Sequence, residues 1–518
     1  MSRPNVVIIL ADDLGYSDIA AFGGEIDTPH LDRLAGRGVR MSSYYVTPRC
    51  SPSRAALLTG RHPHSTGIGV LTTNNSPKGY PGSLSLDVPT LAERLQDYGY
   101  TSGLFGKWHL ASEFVTPSPT WPTRRGFDEF RGILPGATSF YQPPLVQQET
   151  RVPQDEMGDD FYFTDDITAS GARFIRDHAE DPFFLYMAYT APHWPLQARE
   201  HEIAKYRDRF RAGWTRLREE RLARLRESGL VDSVEEIPAT QATPDWLDEE
   251  AEWQVERMAV YAAQVESLDR GVGELLDALE QTGQADDTIV IFSSDNGGCA
   301  EELAPGMDAF SELVCPRTTP DGRPIAIGND PAIMPGSNLT YQSYGRDWAT
   351  VSNTPFRMWK RWVHEGGIST PFIVSWPGGG VPTGGDISHS TGHIVDIVAT
   401  VMDAVGGEHD TEGTSLLEAW RNPSETYDSS PMFWEHVGNA AVRRGRWKLV
   451  REWGSPWELY EIAVDRGESR DLAQEQPELV SELAELWQNW ADTHGVIPWE
   501  DVLADHDERG VPRAHAVG

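Results

Sequence analysis

Cys50 heads the segment Cys50-Ser51-Pro52-Ser53-Arg54, and the run Ala55-Ala56-Leu57-Leu58 that follows reads as a helix with proline in its first turn. A cysteine at a helix N-terminus meets unpaired N–H groups and the positive end of the macrodipole, both of which favour negative charge. Arg54, one turn on, reaches the same spot. Taken alone, the segment also suits a buried structural thiol. Two acidic pairs bear on the choice. Asp12-Asp13 closes the apolar run Val6–Leu10, and Asp295-Asn296 closes Ile289–Phe292. A single such pair could be a solvated strand end or a helix cap; two of them, each ending an apolar strand, are oxygen donors of the kind that hold a hard divalent cation. Lys107 and His109 are two apart and share a face of any extended segment.

The elements that must position these residues follow from the hydrophobic pattern. Val6–Leu10, Phe183–Tyr189, Ile289–Phe292 and Phe372–Val374 are short apolar runs that stop abruptly at polar residues, as buried strands do. Between them lie helical patterns, such as Met258, Tyr261, Ala262, Val265, Leu268, Val272 and Leu275. Strands alternating with helices imply an α/β fold, a large mostly parallel or mixed sheet sandwiched by helices. Ligands of such sheets gather beyond the carboxyl ends of the strands, where the polar residues after these runs would sit.

Residues 199–256 are rich in Arg and Glu and are expected to form exposed helices. Residues 299–350, rich in Pro, Gly and Asn, are expected to form a long ordered loop. A helix is expected over His393–Val405. Past Gly406-Gly407 the pattern changes. Arg446–Val450 and Trp457–Ile462 read as paired strands and Pro477–Trp490 as an amphipathic helix, so the chain is divided into residues 1–411 and a smaller α+β domain at 412–518.

The 518 residues carry 44 Lys and Arg against 79 Asp and Glu, a formal charge of −35. Such a field repels nucleic acid and anionic membranes, and neither is an expected partner. An anionic substrate would be repelled as well, so its site must gather its own positive charge; Arg54, Lys107, His109, His193 and Lys360 are the candidates. The run Val6–Leu10 is too short for a signal-peptide core, no run is long enough to span a bilayer, and three cysteines cannot form a closed disulfide framework. A cytoplasmic location is expected.

Cys50-x-Pro-Ser-Arg54 with the following Leu58-Thr59-Gly60-Arg61 resembles the signature of the type I sulfatases, part of the alkaline phosphatase superfamily. The resemblance extends through Ala11–Gly15, Gly106-Lys107-Trp108-His109, Ala191-Pro192-His193, Ser294–Gly298, Asn353–Arg357, Lys360 and His364–Gly367. It is nearest to the bacterial arylsulfatases. It implies that a separate formylglycine-generating enzyme oxidises Cys50 to formylglycine, whose hydrate has one hydroxyl to attack the sulfur of a small sulfate ester. Deprotonation of the second hydroxyl then expels sulfate. Asp12, Asp13, Asp295 and Asn296, with the modified Cys50, are implied as ligands of Ca2+, with Mg2+ as the alternative. Asp295 is implied as the base for attack and His193 as the acid for the leaving alcohol. Lys360 is implied to bind sulfate and stabilise the leaving group, Lys107 and Arg54 to hold the formylglycine oxygens, and His109 to be the base for elimination.

Two other readings stay open at this point. A phosphonate monoester or phosphodiester hydrolase could use the same parts, and a non-catalytic relative could keep the fold as a binding module. His62 and His64 are expected to brace the loop after the nucleophile helix, and Cys299 and Cys315 to be ordinary thiols. The segments 68–82, 135–160 and 299–350 are the expected pocket loops.

Overall fold

The computed structural model describes residues 3–158, 160–232, 234, 250–307, 311–428 and 431–509. Among them no helix is long and apolar enough to cross a membrane. In chain order the strands are β1 (Asn5–Ala11), β2 (Val39–Tyr45), β3 (Thr101–Lys107), β4 (Glu129–Ile133), β5 (Val146–Gln147), β6 (Thr150–Arg151), β7 (Phe183–Ala188), β8 (Thr288–Ser294), β9 (Ala326–Ile327), β10 (Thr340–Tyr341), β11 (Phe372–Ser375), β12 (Asp386–His393), β13 (Met432–His436), β14 (Asn439–Arg444), β15 (Trp447–Arg451) and β16 (Glu458–Glu461). A ten-stranded sheet runs in the order β12-β2-β11-β8-β1-β7-β3-β4-β5-β6. Its centre is parallel, while β11 and the short β5 and β6 are antiparallel to their neighbours.

The apolar runs become the central strands because both faces of the sheet are covered. Alternate residues of β1 point to opposite sides. Val7 and Ile9 join Phe292, Met258 and Leu275 in one core, and Val6, Ile8 and Leu10 join Leu57, Leu58 and Ile397 in the other. Each such side chain contributes about 1.5–3 kcal/mol through its burial. The helices Phe163–Asp177 and Ala251–Gln281 lie on the first side, and Cys50–Thr59 and Asp396–Val405 on the second.

Three sequence expectations need correction. The helix Trp214–Glu227 is not simply exposed: it buries Trp214, Leu217, Leu222 and Leu225. Its Arg221 is fully buried because Asp18 and Glu25 neutralise it at 2.8 and 2.6 Å, and local polarity cannot reveal partners so far away in the chain. The rest of that expectation, over 233 and 235–249, lies outside the described residues. The segment 299–350 carries the β9–β10 pair and the helix Gly345–Ser352, and its residues 308–310 are also outside. His393 ends β12 rather than starting a helix: its N–H bonds to Asp396 Oδ2 at 2.8 Å, and the helix begins at Asp396.

A second, four-stranded antiparallel sheet, β13-β14-β15-β16, follows in sequence. Its outer face packs on the helix Pro477–Thr493 through Val442, Leu449, Leu483 and Trp487. The inner face, through Trp434, Ala441 and Val450, meets Tyr45, Val363 and Ile368 of the larger unit. Across this junction runs a buried ionic network. Lys448 Nζ lies 3.0 Å from Glu365 and 2.8 Å from Glu468, and Arg466 lies 3.1 Å from Glu365.

Burial alone would raise the Glu365 carboxyl, but Lys448 and Arg466 outweigh it and bring it down to about 2 from the ordinary 4.5. Its contribution to stability is therefore complete above the ordinary value and is lost as pH falls towards about 2, as the unfolded chain takes up the proton first. We expect Lys448→Met to cost about 3–5 kcal/mol in denaturant unfolding, since it leaves Glu365 and Glu468 buried without their shared cation. The acid-induced loss of stability should also move to higher pH, because Glu365 would then no longer be held so low. An unchanged unfolding midpoint would show that the network does not hold the two sheets together.

Candidate active site

Strand register assembles the site. Ala11 of β1 is level with Ser294 of β8, so Asp12 and Asp295 leave adjacent strands side by side. On the other flank β1 pairs with β7 and β7 with β3, with Leu10 and Gly106 both opposite Ala188. Lys107 and His109 therefore emerge beside Asp12, and His193 follows β7. The helix Cys50–Thr59 points its first turn at the same place, with Arg49 as its N-cap residue. Lys360 comes from the loop before β11, held by its N–H to the Gly298 carbonyl at 3.1 Å.

Two side chains are aimed by unusual backbone. Asp13 and His109 have φ of 67° and 53°, a region costly for residues other than glycine. The space beside the His109 ring is kept open by Gly136, where a Cβ would come within 2.4 Å of the imidazole.

Every predicted site residue converges here, and all are at least nine-tenths buried. Cys50 Sγ is 3.4 Å from His109 Nδ1. Arg54 donates from Nε and Nη2 to Asp295 Oδ2 at 3.0 and 2.8 Å and from Nη1 to the Lys107 carbonyl at 3.0 Å. Lys107 Nζ donates to Asp12 Oδ2 at 2.7 Å, and Lys360 Nζ to Asp13 Oδ2 at 2.8 Å. His193 Nε2 is 3.3 Å from both Asp13 Oδ2 and Lys360 Nζ. Its Nδ1 lies 2.6 Å from the Trp194 carbonyl, which makes Nδ1 the protonated nitrogen and turns the other towards Lys360.

Two oxygens in this crowd lack a partner: Asp12 Oδ1 and Asn296 Oδ1 are buried and accept no hydrogen bond. A buried carboxylate oxygen left so is costly unless a cation meets it. Among the described residues, Asp12, Asp13 and His193 also have ligand atoms within 4.8 Å of one another. Apart from the His193 nitrogen these donors, with the partnerless Asn296 Oδ1, are hard oxygens, so the residues suit a hard divalent cation.

The electrostatics agree. Burial and the neighbouring Asp12 raise the Asp295 carboxyl against the pull of Arg54. For Asp13, burial is overcome by Lys360 and His193, which hold it well below the ordinary carboxylate range. Burial, Lys107 and Arg54 push the His109 imidazole well below its ordinary value, so the ring is neutral. The cationic cluster required by the acidic chain is present, but Arg54, Lys107 and Lys360 are each already paired with a carboxylate.

The family model described as Sulfatase matches residues 4–407. The chain belongs to the sulfatase family. As such it is a sulfuric ester hydrolase. It is 34% identical to the arylsulfatase of Klebsiella aerogenes, over 78% of this chain and 87% of that protein. It is 31% identical to an uncharacterized sulfatase of Schizosaccharomyces pombe, over 99% and 98%. The crystal structure of Ps i-CgsB in complex with k-i-k-neocarrahexaose aligns over 99% of each chain with a TM-score of 0.70 at 24% identity, a likeness of fold.

In this sulfatase the site opens into a cleft of about 770 Å³. Cys50, His109, His193 and Lys360 lie at its foot, and the expected loops contribute Val70–Asn74, Pro135–Ala137 and Glu301–Leu303 to its walls. Sequence reasoning missed several lining residues. Arg49 Nη1 pairs with Glu301 Oε1 at 2.8 Å, and Trp194 Nε1 donates to Glu301 Oε2 at 2.9 Å. Burial would raise Glu301, but Arg49 and Lys360 hold it well below the ordinary carboxylate range. Arg361, His436 and Val437 also line the cleft, His436 from the end of β13 and Val437 from the turn after it. Adjacency to Cys50 was the only signal that could have marked Arg49, Glu301 was marked only as part of the loop 299–350, and nothing marked His436. His64 braces its loop as expected, through Nε2 and Glu435 at 2.8 Å. Cys299 and Cys315 are buried thiols.

Proposed function

We propose that this sulfatase hydrolyses sulfate monoesters to an alcohol or phenol and inorganic sulfate, with formylglycine made from Cys50 as the nucleophile. The observation that carries the reading is that Cys50, His193 and Lys360 line one cleft beside a buried carboxylate cluster in which Asp12 Oδ1 and Asn296 Oδ1 have no partner. Asp12, Asp13, Asp295 and Asn296, with the modified side chain 50, would hold Ca2+, or Mg2+ in its place. Such a cation supplies charge that polarises the sulfate and eases deprotonation of the attacking hydroxyl. The pairing of Arg54, Lys107 and Lys360 with carboxylates supports this, because it leaves the site without surplus positive charge for an anion.

Hydrated formylglycine supplies one hydroxyl for attack and a second whose deprotonation releases sulfate by C–O cleavage. Asp295, raised towards protonation, is the base for attack. The neutral His109 imidazole beside position 50 is the base for release. Lys360 and His193 form a contacting pair on the cleft side of Asp13; they bind the peripheral oxygens and pass a proton to the leaving oxygen. Arg54 and Lys107 fix the carboxylates around the nucleophile. Apolar cleft residues such as Val70, Leu71, Phe114, Leu303 and Met307 suit an aryl or alkyl leaving group. We also place the division of the chain at 411/412, supported by the family match ending at residue 407 and by the second sheet beginning at Met432.

The decisive comparison is kcat/KM for an aryl sulfate, an aryl phosphate and a phenylphosphonate ester. We expect the sulfate to be preferred. A phosphonate preference of about tenfold, roughly 1.4 kcal/mol of transition-state binding, would overturn the reading.

A further inference from the structure

Among the described residues, one other group of metal-ligating side chains has its ligand atoms within 4.8 Å of one another: His62, Glu412 and His494. It lies at the far end of the nucleophile helix Cys50–Thr59, where three separate parts of the chain meet. His62 follows that helix. Glu412 is pinned to its end, with its N–H on the Gly60 carbonyl at 2.9 Å. His494 follows the helix Pro477–Thr493, which covers the second sheet.

Each ligand is already oriented. His494 Nδ1 lies 2.8 Å from the Trp490 carbonyl, so this nitrogen carries the proton and Nε2 presents its lone pair. Nε2 is 3.8 Å from Glu412 Oε2. A backbone carbonyl behind the ring, with the opposite nitrogen facing a carboxylate, is the arrangement that prepares imidazole for a metal. Glu412 Oε2 is itself held by the His62 N–H at 2.6 Å. The His62 ring stands nearly perpendicular to that of His494, centroids 5.1 Å apart, and edge-on to Trp490 at 5.0 Å. One cation competes: Arg61 Nη1 is 3.6 Å from Glu412 Oε1, although its closer partner is Asp410 at 2.8 Å. Oε2 remains on the histidine side.

We propose that His62, Glu412 and His494 form a second metal site, for a borderline divalent transition ion of the zinc class, which ties the end of the helix Cys50–Thr59 to the end of the helix Pro477–Thr493. Two imidazoles and one carboxylate are a donor set that zinc uses, with water in the remaining position, whereas calcium prefers oxygen alone. Zinc ligands at about 2.0–2.1 Å from the ion stand closer together than these do, so the site contracts on binding. The three side chains are half-buried, which leaves a path from solvent.

The test uses the full chain in excess Ca2+, so that the oxygen-rich catalytic centre is occupied, and Zn2+ as the probe. Equilibrium dialysis with metal analysis should find one zinc per wild-type chain, with affinity about 100-fold or more weaker in both His494→Gln and Glu412→Gln. Co2+ should give visible absorption bands of a nitrogen-ligated ion in the wild type and lose them in His494→Gln. Zinc should raise the melting temperature of the wild type alone, while all three proteins keep the same kcat/KM for an aryl sulfate without zinc. Equal zinc content in wild type and both variants, or a wild-type Kd above about 1 mM, which is only about 4.1 kcal/mol of binding, overturns the proposal.

Discussion

With alanine in place of Cys50, the protein folds and its turnover falls by at least about 10,000-fold. The fold survives because the change is small. Cys50 is 3% exposed and opens a helix that alanine favours, and among the described residues its one side-chain hydrogen-bond partner is His109. Chemistry does not survive, because the strand-end carboxylates and the cationic side chains only surround the reacting group. With no oxygen nucleophile at position 50, they can bind an ester but cannot divide its hydrolysis into attack and release. A matched thermal melt and circular dichroism spectrum alongside the aryl sulfate assay checks both halves. Turnover within tenfold of wild type would remove Cys50 from the mechanism.

Asp295→Asn should lower activity by about 100- to 1,000-fold and weaken Ca2+ binding, again without loss of the fold. Asp295 has two tasks. Its Oδ2 takes two hydrogen bonds from Arg54 and its Oδ1 one from the Asp13 N–H, so it is a structural hub as well as the proposed ligand and base. Asparagine keeps the shape and an acceptor oxygen while removing the charge. Alanine would leave the fully buried Arg54 with Asp12, at 3.7 Å, as its one carboxylate partner among the described residues, at a cost of about 3–5 kcal/mol that would confuse metal loss with unfolding. Calorimetric Ca2+ titration and Ca2+ dependence of kcat/KM report the two effects separately. Unchanged affinity together with normal turnover would place both the cation and the base elsewhere.

Much of the site could be read in the sequence because α/β geometry makes strand ends informative. Asp12-Asp13 and Asp295-Asn296 each follow a continuous apolar run, and a run buried on both faces must be a central strand whose carboxyl end is exposed to ligand. Lys107 and His109 likewise leave the end of β3. The second sheet was half visible: β15 and β16 showed as paired strands, but β13 and β14 carry no clean alternation because Trp434 and Ala441 face the larger unit while Ala440 and Val442 face the helix. Arg221 looked like a solvated charge and is buried, since a charge can be buried wherever a partner arrives from elsewhere in the chain.

By itself the amino-acid order determined which chemistry this sulfatase could attempt: a cysteine at the head of a helix, hard oxygen donors at the ends of apolar runs, and nitrogen side chains to answer an anion. Only the tertiary structure decided that these are neighbours, because the register of β1 against β8 and β7 joins residues hundreds of positions apart. It alone also decided that Glu301 pairs with Arg49 beside Cys50, and that His62, Glu412 and His494 converge at the far end of the helix that Cys50 opens. Local patterns record whether a residue is buried and in which element; they carry no information about which distant residue shares its surroundings, and that is where charge, metal affinity and proton transfer are settled.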